Sequence, residues 1–132
     1  MIFADANFLI ALFTKDHEYN KQALKIWDEI NHEKIIISPS IIMEVMTVLN
    51  IKLNVSKEQL NKAYNRLNSG KFGIVEDLHA QENALKKMIN YLPERIPFFD
   101  CLYIELMEQL GIKEIVSFDE HFDNKENISR IY

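Results

Sequence analysis

MIFADANFLIALF, residues 1–13, reads as a buried β-strand that gives way to a helix at a single aspartate. Met1 to Ala4 is an unbroken apolar run, the pattern of a strand covered on both faces. Asp5 closes it, and residues 7–14 continue as a short apolar helix. The same grammar recurs along the chain. KIIIS (34–38) is a second buried strand, and Pro39 then opens a helix that the pattern carries to about Leu53. FGIVE (72–76) is a third strand, after which Asp77 is expected to cap a helix reaching about Tyr91. EIVSF (114–118) is a fourth, and SRIY (129–132) supplies a short last one.

Further helices fill the gaps. Asp16 is expected to cap one that runs to about Ile30, with Ala23, Ile26, Trp27 and Ile30 on its inner face. Ser56 and Gln59 have capping-box spacing and start a helix that ends near Ser69-Gly70. Pro97 opens a helix that stops at Gly111. Apolar strands alternating with helices specify an α/β fold whose parallel sheet is covered on both faces. In such sheets ligands bind beyond the carboxyl ends of the strands, where strand order reverses.

The 132 residues show no repeat, linker or low-complexity tract, so a single domain over 1–132 is expected. The lone Cys101 excludes an internal disulfide and fits a reducing compartment. The apolar opening is too short to span a bilayer, carries Asp5, and has neither a basic flank nor a small-residue cleavage site. A cytoplasmic protein with no membrane partner is the expectation. The net charge of −5 argues against a module that coats nucleic acid by charge alone. It is compatible with an enzyme whose clustered carboxylates are neutralised locally by metal.

Four acids stand in apolar surroundings. Asp5 ends the first strand and Asp119 follows the fourth, so both fall at the carboxyl edge of the sheet, although either could be a helix cap or loop acid. Glu44 has Ile41 and Val48 one turn away and Ile51 two turns away, so it is either buried or at the border of an apolar stripe, reaching water. Asp100 has Pro97, Tyr103, Ile104 and Met107 as helical neighbours, and the polar face of that helix is expected around Glu105, Glu108 and Gln109. Its place in the first turn suits the helix dipole but does not account for an acid on the apolar side. Like charges drawn to one sheet edge are stable at neutral pH only if cations occupy the cluster or protons are shared within it. An all-oxygen set selects a hard ion, Mg²⁺ or Mn²⁺, and no His or Cys spacing suggests zinc. Carboxylate-held Mg²⁺ commonly serves phosphate chemistry. There is no Gly-rich phosphate loop and no G-x-S-x-G, and Cys101 reads as a core thiol.

These blocks resemble the PIN-domain family and, within it, the VapC toxins. FADANFLIALF is similar to the family's opening strand, with Asp5 and then Asn7. ISPSIIMEVMTVL resembles the block with the helical acid, here Glu44; IPFFDCLYIELMEQLG the block with Asp100; IVSFDEHF the last, with Ser117 and Asp119. DHEYNKQA (16–23) resembles the segment after the first helix. The resemblance covers nearly the whole chain, in order and in spacing. It implies a three-layer α/β/α sandwich around a mostly parallel sheet of four or five strands, and Mg²⁺- or Mn²⁺-dependent endoribonuclease activity. Asp5 and Asp100 would be the principal metal ligands, Glu44 and Asp119 would complete the acidic pocket, and Asn7 and Ser117 would support it by hydrogen bonds. A homodimer and a small VapB-type antitoxin would be the partners, with RNA as substrate.

Other features are read plainly. The helix 39–53 is apolar almost all round, so it is either core or interface. His17, His79, His121 and Asp123 read as solvated, as do Lys15, Arg66, Lys71, Arg95 and Lys125, which could alternatively contact RNA phosphates. A haloacid-dehalogenase-like phosphatase would need an acid where Asn7 stands, and a receiver domain an acidic pair and a late Lys that are missing. A stand-alone PIN nuclease of RNA maturation and an inactive binding module remain the alternatives to a toxin.

Overall fold

The computed structural model describes residues 1–132. Five short parallel strands, β1 (Ile2–Ala4), β2 (Ile35–Ile37), β3 (Phe72–Ile74), β4 (Glu114–Val116) and β5 (Ser129–Ile131), form one sheet in the order β3-β2-β1-β4-β5. Between them run α1 (Ala6–Phe13), α2 (Asn20–Ile30), α3 (Pro39–Thr47), α4 (Lys57–Leu67), α5 (Gln81–Tyr91) and α6 (Phe98–Leu110). The chain steps outward from β1 to β3 and then returns to the other side of β1. Right-handed crossovers therefore lay α1 to α4 on one face and α5 and α6 on the other. The packing agrees, with α1 against α2 and α3, α3 against α4, and α5 against α6. This is the expected three-layer α/β/α sandwich. Its parallel strands are Ile-rich because both sides are covered, and 34 buried apolar residues form one continuous core.

Several element boundaries differ from the sequence expectation, each for a long-range reason. Helix α2 begins at Asn20 and not at Asp16, because the Asn20 amide is committed elsewhere and donates to the carbonyls of Ala11 and Leu12 at 2.8 and 3.4 Å. The α3 helix widens into a π-helical turn over Val48–Lys52 before the chain leaves it. Asp77 caps no helix of its own. A 3₁₀ turn at Leu78–Ala80 precedes α5, and the Asp77 carboxylate accepts from the backbone N–H of Ser40, in the first turn of α3. The capping box at Ser56 and Gln59 is present as expected. Gly111 ends α6 in the left-handed conformation, φ 69°, that a side chain would disfavour. No helix is long and apolar enough to cross a membrane.

Helix α6 is buried over every residue from Asp100 to Met107, so its expected polar face is only partly solvated. Glu105 is buried and lies 3.4 Å from the Lys87 ammonium. Lys125 is also buried, with its ammonium 3.0 Å from Glu94, and Asp123 is held by both ends of the Arg130 guanidinium at 2.8 and 3.1 Å. Lys125 is therefore not the solvated charge its sequence context suggests, whereas Asp123 is a solvated loop acid as expected, with Arg130 as its partner.

Candidate metal centre at the carboxyl edge of the sheet

Strand order reverses at β1, and the crevice this creates opens between the ends of β1 and β4. Ala4 pairs with Val116, so the next residues, Asp5 and Ser117, meet just past the last rung. The Asp5 backbone N–H donates to Val116 O at 3.1 Å, and the Ser117 hydroxyl donates to one Asp5 carboxylate oxygen at 2.7 Å. The other oxygen accepts from the Ala6 N–H at 2.8 Å, which makes Asp5 the N-cap of α1 as well. Asn7 bridges to the β4 side, its Oδ1 accepting from Phe118 N at 3.1 Å and lying 3.4 Å from Ser117 Oγ. The Asp119 N–H donates to Ser117 Oγ at 3.0 Å.

The other acids arrive from the two helical layers. Glu44 comes from α3 and Asp100 from the first turn of α6. The buried Tyr103 hydroxyl, one turn along from Asp100, donates to Glu44 Oε2 at 3.2 Å and so ties the two layers across the end of the sheet. Asp119 caps a 3₁₀ turn, Glu120–Phe122, by accepting from His121 N at 2.9 Å. That turn brings the His121 ring back to Asp100, with Nδ1 2.8 Å from Asp100 Oδ2 and 3.1 Å from Asp119 Oδ1. Sequence reasoning missed His121. Its spacing from Asp119 is visible, but its partner lies 21 residues upstream on another element.

The electrostatics mark these acids as one group. Burial, followed by the nearby Asp100 and Glu44 charges, pushes the Asp5 carboxyl up to about 8 against the pull of Ser117. Burial and Asp119 raise Asp100 to about 6 although His121 holds it down. Glu44 is raised by burial and by Asp100 and Asp119, with Tyr103 opposing. For His121, burial is outweighed by the hydrogen bond to Asp100 and the charge of Asp119, and its pKa rises. No Lys or Arg lies within ion-pairing distance of Asp5, Glu44, Asp100 or Asp119; their partners are hydroxyls, backbone amides and one imidazole. Ser38, at the same end of β2, keeps a buried hydroxyl with no partner at all. Such a donor set suits a hydrated divalent cation, whose charge offsets the carboxylates and whose waters can reach leftover polar atoms. Cys101 takes no part, since burial and the Asp100 charge push its thiol to about 11.

Beside the acids opens a cleft of about 680 Å³ lined by Asn7, Tyr19, Lys52, Phe118, Asp119 and His121, among others. A second cleft of about 690 Å³, between α1, the π-helical turn and α4, contains none of the acids.

A family model described as PIN domain matches residues 2–128. The chain belongs to the PIN domain family. Three solved structures share its PIN fold. The Mycobacterium tuberculosis toxin VapC20, described as cleaving the sarcin-ricin loop, superposes with a TM-score of 0.84 at 18% identity, over 97% of this chain and 98% of that one. A toxin–antitoxin complex from Klebsiella pneumoniae gives 0.68 at 21%, over 98% and 96%. VapBC2 of Rickettsia felis, bound to DNA from its promoter, gives 0.68 at 14%, over 99% and 98%. At these identities the likeness is one of PIN fold. No curated protein sequence matches the chain.

Proposed function

We propose that this PIN domain is a divalent-metal-dependent endoribonuclease acting as the toxin of a type II, VapBC-like pair. The observation that carries the reading is the convergence of Asp5, Glu44, Asp100 and Asp119 from four separate elements on one sheet edge with no Lys or Arg among them. Asp5 and Asp100 would hold Mg²⁺ or Mn²⁺, with Glu44 and Asp119 closing the pocket. An ion held there supplies a Lewis acid for a phosphoryl oxygen and a water acidified toward neutral pH. Ser117 and the Ala6 N–H fix the rotamer of Asp5, Tyr103 fixes Glu44, and Asn7 locks the β4 loop that carries Asp119. The Lys52 side of the neighbouring cleft offers a track for an RNA backbone.

The partners follow from the same reading. RNA is the substrate, a VapB-type antitoxin the inhibitor and a second copy of the chain the oligomeric partner. Helix α3 and its π-helical extension bury Ile41, Val45 and Leu49 but expose Met43 and Ile51 by 60% and 71%, so this apolar segment is core on one side and available to a partner on the other.

The test is cleavage of single-stranded and stem-loop RNA with Mg²⁺ or Mn²⁺, by wild type and by Asp5→Asn. Cleavage that needs the metal and vanishes in the variant is the expected result; cleavage that persists in the variant sinks the enzyme reading. Growth arrest on expression, relieved by a co-expressed antitoxin, separates a toxin from a nuclease of RNA maturation.

A further inference from the structure

His121 is an imidazole set among carboxylates by a turn that has little freedom. Its own N–H is held by Asp119, the next residue, Phe122, is fully buried, and Asp123 is clamped by Arg130. The ring is therefore delivered to the acids by backbone already fixed. Nδ1 stands 2.8 Å from an Asp100 oxygen and 3.1 Å from an Asp119 oxygen, and donor atoms of all three residues lie within 4.8 Å of one another. A proton on Nδ1 lies in the ring plane and points well at one acceptor, not at two. A cation has no such restriction. Adjacent donors on a six-coordinate ion with bonds of about 2.1 Å sit about 3 Å apart, which is the spacing found here.

We propose that His121 Nδ1 is a direct ligand of the metal ion, joining Asp100 and Asp119 in a mixed nitrogen–oxygen set. The inference rests on the metal-dependent reading above and sharpens it. An imidazole adds little for Mg²⁺, which prefers oxygen, and adds affinity for Mn²⁺ and the later divalent ions. The set accordingly favours Mn²⁺ and, more strongly, the later divalent ions over Mg²⁺, a discrimination that four acids alone would make only weakly.

The experiment is pulsed EPR of the full chain loaded with Mn²⁺ alone, without RNA, together with Mn²⁺ and Mg²⁺ titrations by calorimetry. Wild type is expected to show the ¹⁴N modulation of a bound imidazole; the signal survives in His17→Asn, the other histidine on that cleft, and disappears in His121→Asn. Mn²⁺ affinity should fall about 10-fold or more in His121→Asn, with Mg²⁺ affinity changed by less than about 3-fold. Mn²⁺ that binds in an Asp100-dependent way with no ¹⁴N signal, or with a signal that persists in His121→Asn, overturns the ligand assignment and leaves the metal centre standing. Mn²⁺ binding that is absent, or indifferent to Asp100→Asn, overturns both. The wild-type and His17→Asn spectra carry the result if His121→Asn does not fold.

Discussion

Helix α6 carries two buried acids whose surroundings could hardly differ more. Asp100 looks into the acid cluster and finds Asp119 and an imidazole. Glu105, little more than a turn later, has the Lys87 ammonium at 3.4 Å and the Gln109 amide at 2.6 Å, and Lys87 also reaches Glu108 at 3.2 Å and Glu126 at 3.6 Å. Where acids hold the fold together, the sequence provides a lysine. At the sheet edge it provides four acids with no Lys or Arg beside them, so the only compensation within the chain is protons on the buried carboxyls and the His121 imidazole. What separates the two regions is whether a lysine stands among the acids, and counting acids would not reveal it.

The sharpest way to break this contrast is Asp100→Asn. It should reduce metal-dependent RNA cleavage by about 1,000-fold or more while the protein stays folded; retained cleavage would put Asp100 on a par with Glu105. The second effect is on stability against pH. Asp5 is raised from 3.8 in the unfolded chain to about 8 in the fold, so its neutral form is favoured. Its contribution is complete below about pH 4 and is lost as pH climbs through 8. Metal-free wild type should therefore lose on the order of 5 kcal/mol relative to Asp5→Asn between pH 4 and 8, and added Mn²⁺ should restore it. Parallel denaturation curves for the two proteins across that range would remove the uncompensated charge from the account.

Lys87→Met tests the other region. Taking the cation from Glu105 should cost about 2–3 kcal/mol, because a buried carboxylate then keeps only the Gln109 amide, yet the folded fraction should cleave RNA normally. A change in turnover without a change in stability would show that the two regions are not independent. The smallest effect is expected for Asp77→Ala, which removes a cap from α3 and should cost about 1 kcal/mol. Because α3 carries Glu44, a modest loss of metal affinity should accompany it in calorimetry.

Much of this was legible in the sequence. Apolar runs followed by Asp5 and Asp119 identified two strands whose carboxyl ends share one edge if the sheet is parallel, and Glu44 and Asp100 stood out as acids within apolar stripes. What was not legible depended on groups meeting across long separations. Asp77 looks like a local cap and serves a helix 37 residues away. Asp16 looks like a cap and is passed over because Asn20 is tied to α1. Glu105 looks solvated until Lys87 folds over it, and His121 looks like a surface residue until its turn returns it to Asp100. Periodicity reports which side of an element is apolar; it carries no information about which partner arrives there.

The insertion of β4 beside β1 also has a bearing on biosynthesis. Until residues 114–119 leave the ribosome, β1 is an open edge and Asp5 lacks both Ser117 and Asp119. The growing polypeptide can bury most of its apolar surface while the acids contributed by its first and last thirds are still apart. A cell making this protein therefore meets an assembled acid pocket only when synthesis is nearly finished.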